Sequence, residues 1–251
     1  MKCFSNSHIV NRLSIALVLA ICTLITFLPF FDVGFTCADD FEYYLAVLKG
    51  NILGNTQYLA YLAGRFYFLI TMPLYYFPYV FGSFAAIKVV QYTMLFITYV
   101  LFSRLASRVT KSDAVGIATY IVLLLSTQIT ANHHIPIQAY PFFFSLSFSI
   151  MTLSLLSFVR YVEQGKTKWI IISAVLFGVA SLFYETYLLF LLLFCAYIFF
   201  RSAKNRGIVA SLHCCQFWKE ILPYVAVGIG YVTAYFMFRH FHPSVYSGSQ
   251  F

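Results

Sequence analysis

The chain has 251 residues, 61% of them hydrophobic and only 10% charged, with a mean hydropathy of +0.83. A soluble domain carries about 25% charged residues, so this balance excludes a water-soluble globule and makes lipid the solvent. The net charge of +8 sits in short basic clusters between apolar runs, a pattern that marks membrane topology and argues against a nucleic-acid-binding face.

Lipid cannot satisfy backbone hydrogen bonds, so spans must be helices or a closed barrel. The apolar stretches are long and do not alternate, which predicts an all-α polytopic membrane protein. The first run, Leu13–Phe31, follows Lys2 and Arg12 and is longer than the apolar core of a signal peptide; no convincing cleavage site follows it. It is read as an uncleaved first span. An extracytoplasmic loop over 32–83 comes next, with interfacial helices. Within it Phe66–Gly82 is apolar and aromatic but interrupted by Pro73 and Pro78. Tyr61, Tyr67, Tyr75, Tyr76 and Tyr79 lie in or beside it, and tyrosine favours the membrane interface. The later spans are Phe84–Phe102, Ala114–Ile129, Phe142–Val162, Trp169–Tyr184, Thr186–Phe200 and Leu222–Phe238. Residues 1–251 are taken as a single membrane domain.

Charge parity decides the status of Phe66–Gly82. With that segment on the outer surface and the N-terminus cytoplasmic, twelve Lys and Arg lie inside and four, Lys49, Arg65, Lys88 and Arg239, lie outside. If it spans, every later loop inverts and the bias is lost. The same parity divides Trp169–Phe200 into two limbs shorter than the ~20 residues needed to cross. The Tyr184–Glu185–Thr186 turn is therefore expected to dip below the outer interface.

The cysteines, Cys3, Cys22, Cys37, Cys195, Cys214 and Cys215, are scattered, and only Cys37 falls outside, so no disulfide framework is expected. Cys214–Cys215 lies near a membrane boundary, where palmitoylation is conceivable, but inert thiols are the default reading.

The acidic residues Asp32, Asp39, Asp40, Glu42 and Glu185 gather on the outer face, with His133, His134, His240 and His242. Asp113, Glu163 and Glu220 fall in basic inner loops and need no special explanation. Phe41, Leu45, Leu48 and Ile52 follow helical spacing, so Asp39 or Asp40 opens an amphipathic interfacial helix. Asp39 with Glu42 fits a variant of the capping box, which explains both without catalysis; Asp40 is less well covered. Arg65, where the loop returns to the membrane, suits a lipid phosphate, or else snorkels to the interface. Lys88 is a similar, weaker candidate. Glu185, in an apolar hairpin, is either functional or a solvated turn. His133–His134 lacks metal-ligand spacing; a single histidine contacting phosphate or sugar is the better reading. No dinucleotide fingerprint, P-loop, nucleophile elbow, zinc-protease motif or N-glycosylation sequon occurs.

Three short stretches, Ala38-Asp39-Asp40-Phe41, Gly64-Arg65-Phe66 and Phe183-Tyr184-Glu185-Thr186, in this order along a seven-span chain, resemble the GT-C class of membrane glycosyltransferases. The closest flavour is the Gtr-type O-antigen glucosyltransferases and the protein mannosyltransferases. The resemblance implies an enzyme of the bacterial inner membrane with its active face extracytoplasmic. It would be a hexosyltransferase moving a sugar from a polyprenyl-phosphate donor to a glycan, lipid or protein acceptor. Asp39 and Asp40 then take the catalytic positions, one as base, and bind a divalent cation (Mg or Mn) only if one is used. Arg65 would hold the phosphate, and Glu185, His133 and Lys88 would line the substrate site. Members of the class continue well past seven spans, so the chain is expected to be an N-terminal module, truncated relative to them. The alternatives are a non-catalytic or truncated assembly subunit and a lipid or solute transporter. A transporter predicts internal repeats and mid-span charges, which are not seen.

Overall fold

The computed structural model describes residues 3–32, 34, 38–127, 140, 142–207 and 215–245, leaving aside the side chains of residues 3–13, 30, 32, 38, 39, 205 and 206. The described elements are helical. They are α1 (Cys3–Phe27), closed by a 3₁₀ turn (Leu28–Asp32), then α2 (Ala38–Leu48), α3 (Ile52–Ala63) and α4 (Phe68–Tyr76), which runs into a second 3₁₀ turn (Phe77–Phe81). There follow α5 (Phe84–Thr110), α6 (Asp113–Ser126), α7 (Phe143–Gln164), α8 (Thr167–Phe183), a third 3₁₀ turn (Glu185–Leu189), α9 (Phe190–Arg206) and α10 (Cys215–Phe241).

Local chemistry sets the boundaries. Ser83 caps α5 by accepting the Ala86 N–H at 3.2 Å, and Ser112 caps α6 by accepting that of Val115 at 3.4 Å. Pro29, which has no N–H to donate, falls where α1 gives way to its 3₁₀ turn. Thr127 ends α6 by turning its hydroxyl back onto the Leu123 carbonyl at 2.8 Å.

Contacts at both ends give the helix directions. Phe27, at the end of α1, stacks on Tyr92 near the start of α5, so these two helices are antiparallel. Arg108, late in α5, pairs with Glu163, late in α7, at 2.9 Å, so those two are parallel. One end of the bundle therefore carries the last turns of α5 and α7 with their basic residues. The opposite end carries α2, α3, α4 and Glu185. The chain after α10 returns to that second end, where the Val245 N–H donates to the Leu62 carbonyl at 3.0 Å.

Three apolar clusters hold the bundle. Met151, Phe158, Phe177, Phe194 and Tyr224 join α7 to α10. Phe27, Tyr92, Leu95, Tyr99 and Tyr120 join α1, α5 and α6. Tyr43, Met72, Tyr76, Tyr79 and Ile87 lock α2 and α4 onto the start of α5. Between α7 and α8, Ser154 and Ser173 each donate to the other's carbonyl, at 2.7 and 2.8 Å, and Tyr224 donates to the Ser173 hydroxyl at 2.7 Å. Small polar residues of this kind let helices approach closely in lipid. Leucine, isoleucine, valine and phenylalanine crowd the outside, as at Leu24, Val122, Leu192 and Phe236.

Seven spans are expected from the sequence, but among the described residues four helices are long and apolar enough to cross a membrane: Phe84–Thr110, Phe143–Gln164, Glu185–Lys204 and Cys215–Phe241. The expected spans Leu13–Phe31, Ala114–Ile129 and Trp169–Tyr184 fall on shorter apolar helices, Ser14–Phe27, Asp113–Ser126 and Thr167–Phe183. Pro29, Thr127 and the turn at Glu185 end them early. Three tyrosines of the Phe66–Gly82 segment pack inward: Tyr67, Tyr76 and Tyr79 are each 1% exposed, with their ring bodies in the core and their hydroxyls on polar partners.

Candidate functional site

Asp40 lies in the first turn of α2 and is 2% exposed. Its Oδ1 accepts the Tyr79 hydroxyl at 2.8 Å and the Tyr140 backbone N–H at 2.9 Å. The carboxylate thus ties α2 to the turn after α4 and to the approach to α7. Lys88, in the second turn of α5, is 4% exposed and within electrostatic reach of Asp40. Its ammonium donates to Gln91 Oε1 at 3.4 Å and lies 5.1 Å from the Phe84 ring centre.

The helical period expected of α2 holds, and its faces divide: Phe41 and Leu48 are 51% and 61% exposed, while Asp40, Tyr43 and Ala46 turn inward. The helix also stops before Ile52, because Lys49–Asn51 turn the chain through Gly50, whose φ is +66°. It begins at Ala38, so the capping box expected from Asp39 and Glu42 is out of register by two residues.

A second polar group lies on the same end. Arg65 follows Gly64, the left-handed residue that ends α3, and its Nη2 is 3.2 Å from Glu185 Oε1. The Tyr67 hydroxyl donates to the other oxygen of the same carboxylate. Burial, then the hydrogen bond to Glu185 and its charge, push the Tyr67 phenol far above its usual value. Burial works against the Arg65 cation, but Tyr67 and Glu185 outweigh it, and its pKa is raised. Arg65 and Glu185 keep about a third of their side chains exposed, at 38% and 34%. Of these four charges, Arg65 and Glu185 are the accessible pair, whereas Asp40 and Lys88 are closed off.

Tyr75 connects the two groups. Its ring lies 5.5 Å from that of Tyr43 and 5.6 Å from that of Tyr140, whose N–H holds Asp40, and it also feels the charges of Arg65 and Glu185. No family model, curated protein or solved structure matches the chain. The residues themselves carry what can be said of the site.

Of the sequence-predicted residues, the fold places Asp40, Lys88, Arg65 and Glu185 on one end. His133 lies outside the described residues, as does the Asp39 side chain, although the Asp39 backbone is helical. Among the described residues no group of three His, Cys, Asp or Glu side chains converges to hold a metal ion. The surroundings of Asp40 do not suit Mg or Mn: Oδ1 is taken by two donors and an ammonium stands nearby, whereas these cations seek several oxygen ligands.

Sequence reasoning missed Tyr67, Tyr79 and Tyr140 as partners of the acids. It also misjudged Glu220, expected in an inner loop. Glu220 lies within α10, is 9% exposed, and accepts from Tyr161 at 2.7 Å and Gln216 at 2.9 Å, with Arg201 at 4.0 Å. The signal available was its position four residues after Gln216, which puts both on one helical face.

Proposed function

We propose that the chain is a membrane glycosyltransferase of the GT-C kind, which moves a hexose from a polyprenyl-phosphate donor to a cell-surface glycan, lipid or protein acceptor. In this reading seven helices cross a bacterial inner membrane, the N-terminus is cytoplasmic and the Asp40 end faces outward. The observation that supports it is the gathering of two carboxylates and two cations, Asp40, Glu185, Lys88 and Arg65, on one end of an otherwise apolar bundle.

The reaction needs two kinds of help. The acceptor hydroxyl attacks the anomeric carbon as the bond from that carbon to the phosphate oxygen breaks. The hydroxyl proton passes to a carboxylate, and the electron pair leaves on the polyprenyl phosphate. Asp40 is the base, and Arg65, with its planar fork of donors, receives the phosphate. Glu185 aims Arg65, and Lys88 adds positive potential behind the base. Asp40 is closed beneath Tyr79 and Tyr140 in this structure, so reaction requires the Tyr140 contact to open.

That closure also favours a second reading, in which Asp40 is a structural tether in a non-catalytic assembly subunit. The two readings separate in membranes supplied with labelled polyprenyl-phosphate hexose. If Asp40 is the base, Asp40→Asn and Arg65→Gln each lower transfer by at least about a hundredfold while the protein still melts as a single species. Transfer that persists in Asp40→Asn and in Asp39→Asn, at normal expression, removes the catalytic assignment. A fall in melting temperature with no transfer activity in the wild type supports the tether.

A further inference from the structure

A cleft of about 800 Å³ opens at the basic end, away from Asp40, between the middle of α1 and the paired helices α5 and α6. We propose that it binds an anionic phospholipid of the leaflet on that face, with the phosphate against Arg104 and Lys111 and an acyl chain along the apolar wall.

Among the described side chains, α1 grips the bundle through its later turns. Thr23 meets the Tyr120 hydroxyl at 2.5 Å and Phe27 stacks on Tyr92. Earlier in α1 the residues turned to the bundle include Ala16 and Ala20, too small to fill the space. Opposite them α5 and α6 are pressed together at Gly116, where a Cβ would lie 2.8 Å from that of Ser107. They cannot move apart to close the gap without losing that contact. The volume lies within the roughly 300–1,000 Å³ usual for small-molecule sites.

Charge at the mouth selects the ligand. Of the five charged side chains there, Arg108 is paired with Glu163 at 2.9 Å, and Asp113 accepts the Ser107 hydroxyl at 2.9 Å. Arg104 and Lys111 have no ion-pair partner among the described residues. Ser103, one residue before Arg104, lines the cleft, is 8% exposed, and its Oγ has no hydrogen-bond partner. A buried hydroxyl without a partner is costly, and a phosphate oxygen at the cleft mouth would supply the missing acceptor. Two cations without an ion-pair partner among the described residues, an idle hydroxyl and an apolar wall together describe an anionic amphiphile.

The test uses the purified chain in neutral detergent. Its melting temperature is followed against phosphatidylglycerol, phosphatidylcholine with the same acyl chains, and inorganic phosphate. Phosphatidylglycerol alone should raise it. Arg104→Gln with Lys111→Gln should weaken the apparent affinity about tenfold or more, and Ala20→Phe, which fills the cleft, should abolish the shift. Lys166→Gln with Lys168→Gln, at the same end but outside the cleft, should leave it unchanged. Equal stabilisation by phosphatidylcholine, an equal effect of inorganic phosphate, or a full shift in the cleft variants overturns the proposal. Should those variants fail to fold, native mass spectrometry of the wild type decides: retention of phosphatidylcholine as readily as phosphatidylglycerol overturns it too.

Discussion

Tyr67 shows how a single side chain holds the Arg65 end of the bundle together. Its ring fills space against Phe66, Phe68 and Tyr231, and its hydroxyl fixes one oxygen of the carboxylate whose other oxygen meets Arg65. Its pKa is raised in the folded chain, so its contribution to stability is complete below the unfolded value of about 10 and is lost as the pH rises beyond it. Tyr67→Phe should therefore flatten the alkaline limb of a melting-temperature curve measured in detergent from pH 8 to 11. An unchanged limb would assign that loss to other groups. Arg65 and Glu185 stand out in the sequence because isolated charges in an apolar chain are conspicuous. Their pairing does not, since it joins positions 120 residues apart. Tyr67, Tyr79 and Tyr140 were illegible for another reason: tyrosine in a membrane chain reads equally as an interface anchor or as a buried ring with a partnered hydroxyl.

At the scale of elements, the end of α3 is clasped by the chain that follows α10. His242 stacks on Tyr61 with ring centres 4.4 Å apart, and Gly64 lies so close that a Cβ there would be 2.7 Å from the His242 carbonyl oxygen. Gly64→Ala should destabilise the protein by more than about 1 kcal/mol, because its left-handed backbone already disfavours a side chain. Gly50 has a similar φ but open space around it, so Gly50→Ala carries the conformational cost alone. The difference between their melting temperatures measures the clasp, and equal shifts would show that it contributes nothing. The helices themselves are legible from their apolar runs. The inward face of α2 is not. In water an apolar stripe marks the buried side, but in lipid the outer side is apolar too. The period survives while its phase becomes ambiguous, and polarity, here Asp40, becomes the better sign of the interior.

At the scale of the molecule, the proposed seven crossings place α3 and the α7–α8 turn on opposite sides of the membrane. In a cysteine-free background, Gln57→Cys should react with an impermeant maleimide from outside only, and Lys166→Cys from inside only. Labelling of both from one side would refute the topology. The alternation of ends was legible in the distribution of Lys and Arg; the lengths of the helices were not, because capping and tertiary pairing end them. Those lengths differ widely. α5 and α10 have 27 residues each, about 40 Å, whereas α8 has 17 and α6 has 14, about 25 and 21 Å. A hydrocarbon layer of about 30 Å fits none of them. Long helices relieve such a mismatch by tilting, but short ones draw the bilayer in around themselves. If all seven helices cross as proposed, the lipid beside α6 and α8 should be dimpled, with headgroups sunk toward the bundle, and the protein should settle preferentially in thin membranes.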